Sequence, residues 1–415
     1  MTSPSPARRA GWGVAVAATP GMSVSYIDRQ TLAAIAPSVR STFDLNHTQF
    51  GWLVSGFSMA YLVGAPVAGT VVDKLGARRG FALAVVLWSI VAGAHAFAYS
   101  FATLFALRIL LGTTEAPSFP SATQAIRRAL PGTRRTAAYG LLFTGSSIGA
   151  MIAAPLAIHL TARYGFRFAF VGTALVGMLW IPFWLFMTRG RRIPPEPPPA
   201  AVTVAANPEA TRWADLARSP TVLRTLLAIL GSAPGLMFVQ NWGSQYLVER
   251  WLLPKAGISG YLVILPLFFD LGAVGFGWYA STRELSGRHF EERRTHVDLM
   301  LLGAGLAASL ALTPLTPLAP TPLVAMLCFG LAAAGSGGLH VLITSDLLSR
   351  VPLQRTSAAG GLAAAAQSLA HIVVSSLIGM TIDRTHGYGI VSVALGLTVI
   401  PTTLAFVLWP SLRKR

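Results

Sequence analysis

Cysteine is all but missing: Cys328 is the only one in 415 residues. One thiol cannot close an internal disulfide, and this one lies in the apolar run AMLCFGLAA, where it reads as a small hydrophobe. Charge is scarce as well. Asp, Glu, Lys and Arg make up 11% of the chain, against about 25% in a soluble domain. Acids are the scarcer sign, 15 against 32 bases. No residues are spaced as a metal-ligating cluster, a nucleophile triad or a phosphate-binding loop, so neither enzyme chemistry nor a cofactor is expected. A net charge of +17 would point to nucleic acid in a soluble protein. Here the bases sit in short loops between apolar runs, so membrane topology is the better account and nucleic acid is not an expected partner.

What is present in excess is apolar sequence: 53% of the residues are hydrophobic. Runs of about 20 recur along the chain, long enough to cross a hydrocarbon core of about 30 Å. They are rich in Gly, Ala, Leu and Val, residues that let membrane helices pack closely. Twelve spans are predicted, at 12–38, 50–71, 80–98, 102–129, 136–159, 166–187, 223–251, 259–282, 295–313, 321–349, 356–382 and 388–410. The first runs straight into Asp28–Arg29 without a clear cleavage site and reads as a retained span. A polar, Pro-rich stretch, RGRRIPPEPPPAAVTVAANPEATRWADLARSP, separates the sixth span from the seventh and reads as a linker. The expected organisation is a six-helix half over 1–187, a cytoplasmic linker over 188–222 and a second six-helix half over 223–415. With a cytoplasmic N-terminus, 24 bases fall on the cytoplasmic side and six on the other (Arg40, Arg163, Arg167, Arg250, Lys255 and Arg384). That bias places both ends in the cytoplasm.

Two bases, Arg29 and Arg108, lie inside spans. Arg29 follows Asp28 directly in SVSYIDRQTLAAIAP, and Arg108 precedes Glu115 by seven residues in the fourth span. Seven residues are two helical turns, so Arg108 and Glu115 share a face, with Gly112 leaving it open between them. Adjacent residues point about 100° apart, so Asp28 and Arg29 must find separate partners. A charge at membrane depth costs several kcal/mol unless paired or turned to a wet cavity. Two acids and two arginines balance in sum, which implies one shared polar cavity. There an arginine can hold an anion bidentately and a carboxylate can carry a proton. A static salt-bridge network is the plainer alternative.

Other polar residues are candidates for the same cavity. Tyr26 and Tyr61 lie in the first half; Asn241, Trp242 and Gln245 in VQNWGSQYLVERW, Asp270, and Gln367 and His371 in AAAAQSLAHIVV lie in the second. The loop after the second span, GTVVDKLGARRG, supplies Gly69, Asp73, Gly76, Arg78 and Arg79. Gly69 suits close helix approach, Asp73 can cap a helix or pair with an arginine, and Gly76 permits a tight turn.

That loop resembles the signature of the major facilitator superfamily. The segments YIDRQTLAAIAP, FSMAYLVGAPVAGTVVDKLGARRGFALAVVLWS and RILLGTTEAPSFPSATQAIRRALP resemble its anion:cation symporters, especially the bacterial hexuronate, galactonate and glucarate group. The resemblance implies an all-α membrane protein of twelve helices in two pseudo-symmetric halves. It implies proton-coupled import of an organic anion through a bacterial inner membrane, by a monomer. It places Asp28 and Glu115 as proton-coupling acids with Arg108 paired to them, and Arg29 and Tyr61 at the substrate; Tyr26 and Ser146 are further candidates for substrate contact. The loop residues become gating elements. Where the family often has Asn-Ser in the fifth span, this chain has Phe143–Thr144 before Gly145–Ser146–Ser147, which suggests a smaller or less polar substrate. Efflux by proton antiport is the rival expectation. Such exporters usually carry a Gly-Pro pair in the fifth span, whereas here Ala150 follows Gly149 and Pro155 stands alone. Uptake of another monocarboxylate, or a sensor that binds without carrying, are further alternatives.

Overall fold

The structure is a computed structural model that describes residues 6–130, 132–189, 218–285, 301–312, 318–350 and 356–409; for short helical stretches, among them 73–74 and 132–137, it describes the backbone alone. The described residues form no strand. In chain order the helices are α1 Pro6–Ala34, α2 Ala36–Phe43, α3 His47–Leu75, α4 Ala77–Ala94, α5 Phe101–Glu115, α6 Ser118–Ala129, α7 Gly132–Tyr164 and α8 Phe166–Met187. They continue with α9 Pro220–Arg250, α10 Ser259–Leu285, α11 Leu301–Leu310, α12 Pro322–Arg350, α13 Thr356–Thr385 and α14 Gly389–Leu408.

Among the described residues, eight helices are long and apolar enough to cross a membrane. They match the predicted spans three, five to eight and ten to twelve. The first span, α1, is more polar because it carries Ser23, Ser25, Asp28 and Arg29, and only a short α11 is described for the ninth. Two predicted spans are not single helices. The first stops at Ala34, and Pro37 lies in the first turn of α2, where its missing N–H is harmless. The fourth breaks between α5 and α6 at Ala116–Pro117, since Pro117 has no N–H to continue the ladder. This break makes Glu115 the last residue of α5.

The described residues fall into two compact units, the first drawn from 1–202 and 253–263, the second from 203–252 and 264–415. In the first, α4 and α8 run antiparallel and are clasped at both ends by one repeated device. Gly76 (φ 78°) and Gly165 (φ 92°) each turn the chain in the left-handed region that favours glycine. Two residues after each comes an arginine that reaches the neighbouring helix. Arg78 donates to Thr188 Oγ1 at 3.1 Å and to the Leu185 carbonyl at 3.0 Å, and Trp184 Nε1 donates back to the Arg78 carbonyl at 3.0 Å. At the other end, Arg167 Nε donates to the Ala96 carbonyl at 2.9 Å. Between these clasps lies an aromatic core. Phe81 sits edge-on to Trp180 and Trp184, with ring centroids 4.9 and 5.2 Å away.

Helix α1 crosses this pair and also meets α7. A Cβ on Gly145 or Gly149 would collide with the α1 backbone at Thr19 or Ser23, so both glycines are required by the close approach. Ser23 Oγ donates to the Gly145 carbonyl at 2.8 Å, a polar stitch made possible by that distance. In the second unit, α9 packs on α12, α13 and α14 around a core that includes Ile229, Leu339 and Phe406.

Candidate functional site

The site is built on one face of α1. Ser25 and Arg29 are four residues apart, one turn, and both turn toward the broken end of α5. There Arg29 Nε and Ser25 Oγ both donate to Glu115 Oε1, while Glu115 Oε2 is buried without a hydrogen bond. Glu115 is wholly buried, and the Arg29 side chain keeps 20% exposure. The acid is thus sealed while the arginine side chain stays partly exposed.

Three rings wall that guanidinium. Its carbon lies 5.1 Å from the centres of Tyr26 and Phe57 and 4.6 Å from Tyr61. Each such contact contributes about 0.5–2 kcal/mol, more when water is excluded. Phe57 also lies under Arg108, at 4.9 Å, so one ring serves both arginines. Arg108 is buried, and its Nε donates to the Leu53 carbonyl at 3.3 Å. It acts on Glu115 through space but makes no ion pair with it among the described residues. Gly112 does not leave the Arg108–Glu115 face open. It lets α3 press in, because a Cβ there would strike the Phe57 carbonyl.

Asp28 is elsewhere. Its side chain leaves α1 about 100° round from Arg29 and enters the interface with α4 and α8. Beside it lie the Trp88 indole N–H and the Thr173 hydroxyl, yet neither carboxylate oxygen has a hydrogen bond of good geometry. The expectation of one cavity shared by four charges therefore resolves into two places. Arg29, Glu115 and Arg108 gather with the rings, and Asp28 lies behind them.

The remaining candidates divide in the same way. Ser146 on α7 is buried next to the Tyr26 hydroxyl, so it joins the Arg29 site. One turn earlier, Phe143 is 56% exposed and lies against Phe119 of α6, with ring centroids 5.4 Å apart. In the second unit, Trp242 and Gln245 are buried on α9, and Asn241 spends an amide N–H on the Met237 carbonyl of its own helix at 3.0 Å. Asp270 on α10 and Gln367 and His371 on α13 are half-buried. In the signature loop, Gly76 makes the predicted turn, Arg78 ties α4 to α8, and Arg79 is exposed. The side chains of Gly69 and Asp73 lie outside the described residues.

Sequence reasoning missed three participants. Ser25 was detectable, being one turn before Arg29 on the same face, and Phe57 is likewise one turn before Tyr61. The third, Arg224, stands at the start of the predicted seventh span and is one of the 24 bases assigned to the cytoplasmic side. It is instead buried in α9, ion-paired with Asp346 of α12 and stacked 4.5 Å from the Phe406 ring centre. The charge bias across the membrane survives its removal.

Long apolar helices enclosing a buried charge cluster, with the Arg29 side chain partly exposed, define a multi-pass membrane protein. The chain belongs to the Major Facilitator Superfamily, whose family model matches residues 18–375. This is a family of transporters, not of enzymes. The chain is 34% identical to the hexuronate transporter of Escherichia coli (strain K12) over 181 residues, 44% of this chain and 42% of that protein. The match therefore spans less than half of that relative's length. It is 26% identical to the hexuronate transporter of Bacillus subtilis (strain 168) over 384 residues, 91% of this chain and 89% of the relative. Among solved structures, a bacterial homologue of the human lysosomal transporter Spinster, in an inward-facing, unoccupied conformation, superposes with a TM-score of 0.73 at 18% identity. That match covers 98% of this chain and 95% of the other, and it speaks to the fold alone.

Proposed function

We propose that the protein is a proton-coupled importer of an organic anion, a sugar acid of the hexuronate type, working by alternating access in a bacterial inner membrane with both termini in the cytoplasm. The observation that carries this reading is the Arg29–Glu115 pair. Arg29 is the one cation of the cluster that combines partial exposure with an aromatic wall, and its present partner is an acid that can be neutralised by a proton. When Glu115 takes a proton, its claim on Arg29 weakens and a substrate carboxylate can take its place in the same fork. Release of the proton restores the internal pair and expels the anion. Binding of anion and proton is then linked in the same direction, as symport requires. The hexuronate transporters among the relatives support the choice of anion.

A second reading, a smaller or less hydroxylated carboxylate, is favoured by Phe143 and Phe119. Their rings meet one turn before Ser146, on the side where the sequence pattern of sugar-acid carriers would place an amide, which suits a less hydroxylated chain. Uptake of labelled D-galacturonate into proteoliposomes with an imposed inward proton gradient tests the proposal. Accumulation above equilibrium is expected and should collapse with an uncoupler. Accumulation driven by an outward gradient would establish efflux instead.

A further inference from the structure

Asp28 is more than nine-tenths buried, yet both of its carboxylate oxygens lack a hydrogen bond. It has company in this. Trp88 Nε1, Ser89 Oγ and His95 Nε2 have no hydrogen bond of good geometry either; Trp88 and Ser89 lie on α4, and His95 lies in the turn that follows it, against Phe170 of α8. Leaving one such group unpaired is costly, so several together at one interface demand an explanation. Water is the partner small enough to fit and able to bridge donors to acceptors.

The chemistry of the groups is complementary. The indole N–H is a donor only and the carboxylate an acceptor when ionised. Thr173 Oγ1 donates to the Phe170 carbonyl at 3.2 Å and lies beside Asp28, so its lone pairs can accept from a water that bridges to the carboxylate. His95 Nδ1 lies 2.8 Å from the Val91 carbonyl, which can only accept, so Nδ1 carries the hydrogen and Nε2 presents a lone pair. His95 stacks on Phe170 at 5.2 Å, so it lies one turn of α8 away from Thr173 and just past the end of α4, seven residues after Trp88. The groups thus follow one another along a single seam. Both ends of that seam are held by the Arg78 and Arg167 clasps, so the α4–α8 wall is fixed rather than pliable.

We propose that Asp28 exchanges its proton through this seam, a hydrated polar file lined by Trp88, Ser89 and Thr173 and closed by His95. The file runs on a different face of α1 from the Arg29–Glu115 pair. It rests on the reading of Asp28 as a proton-carrying group. In the uptake step an O–H bond of a hydronium or water in the file breaks and the O–H bond of the Asp28 carboxyl forms. The proton lost is replaced along the file from bulk water at the His95 end. The charged groups acting on the file are Glu115, which faces Asp28 from α5, and Arg108, which faces His95. The anion and the proton on Asp28 therefore need not share an entrance.

Infrared difference spectroscopy on the purified full-length protein tests this without any substrate, so failure of the anion reading leaves its outcome unaffected. An acid-minus-alkaline spectrum should show a carboxylic-acid carbonyl band that vanishes in Asp28→Asn. On mixing with D2O that band should shift. The shift should be about tenfold slower or more in His95→Phe, which keeps the stack on Phe170 but removes Nε2, and slowed in the isosteric Thr173→Val. Tyr26→Phe, on the anion side of α1, should leave its rate unchanged. Equal rates in wild type, His95→Phe and Thr173→Val overturn the proposal. So does slowing by Tyr26→Phe to the same extent, or the absence of any Asp28-dependent band at every pD.

Discussion

Glu115→Gln should bind anion more tightly than the wild type. In the wild type, an incoming carboxylate must displace Glu115 from Arg29. Hydrogen bonds to charged groups contribute about 1.5–3 kcal/mol net. The pair is not fully sealed, since the Arg29 side chain is 20% exposed, so the lower end of that range applies. Glutamine keeps the shape and can still accept from Ser25 and Arg29, which retains part of the interaction. Removing only the charge competition should thus lower the Kd about tenfold at neutral pH. The pH dependence gives the sharper test. Protonation of Glu115 frees Arg29, so wild-type affinity should rise as pH falls. The Gln variant is held at the protonated limit and should show that affinity throughout. Calorimetric titration of labelled or unlabelled D-galacturonate into both proteins over a pH series reads both effects. In proteoliposomes the variant should still exchange external for internal anion but fail to concentrate it under a proton gradient. Weaker binding by the variant, or a pH slope equal to that of the wild type, would refute the competition.

Arg29→Lys keeps a charge but loses the planar fork and its stacking on Tyr61, so anion affinity should drop about tenfold or more, and near-normal affinity in Arg29→Gln would remove Arg29 as the anchor. Arg78→Ala deletes two hydrogen bonds that join α4 to α8. It should lower thermal stability by about 1–2 kcal/mol while leaving anion affinity unchanged, and a large affinity loss without a stability change would contradict that structural role. Gly149→Leu forces a side chain into the Ser23 backbone. It should cost about 1–3 kcal/mol or more through overpacking, seen as reduced yield of folded protein in detergent, and a fully stable variant would show that α1 and α7 do not approach as described.

The sequence carried much of this because a membrane imposes strong rules. Apolar length, loop bases and intramembrane charges are each legible one residue at a time, and they led to the spans and to Arg29, Arg108 and Glu115. The breaks were legible in principle too, through Pro37 and Pro117, but a run of apolar residues masks a missing N–H. Contacts across helices were the harder part. Gly112 as a close approach to Phe57, and the seating of Arg224 on Asp346, depend on which residues lie opposite, and nothing in a single chain states that. The four intramembrane charges show the limit most clearly. Their sum is zero, and a sum of zero suggests one cluster. Yet Asp28 and Arg29 are about 100° apart on α1, and that angle decides which helix each one meets. Arg29 meets the end of α5 and its acid; Asp28 meets α4 and α8, where there is no cation beside it among the described residues. An unpaired carboxylate held in such a place is affordable only if it spends part of its cycle neutral. On the proposed reading, the same angle that separates the two residues gives them different tasks, Arg29 to hold the anion and Asp28 to carry a proton.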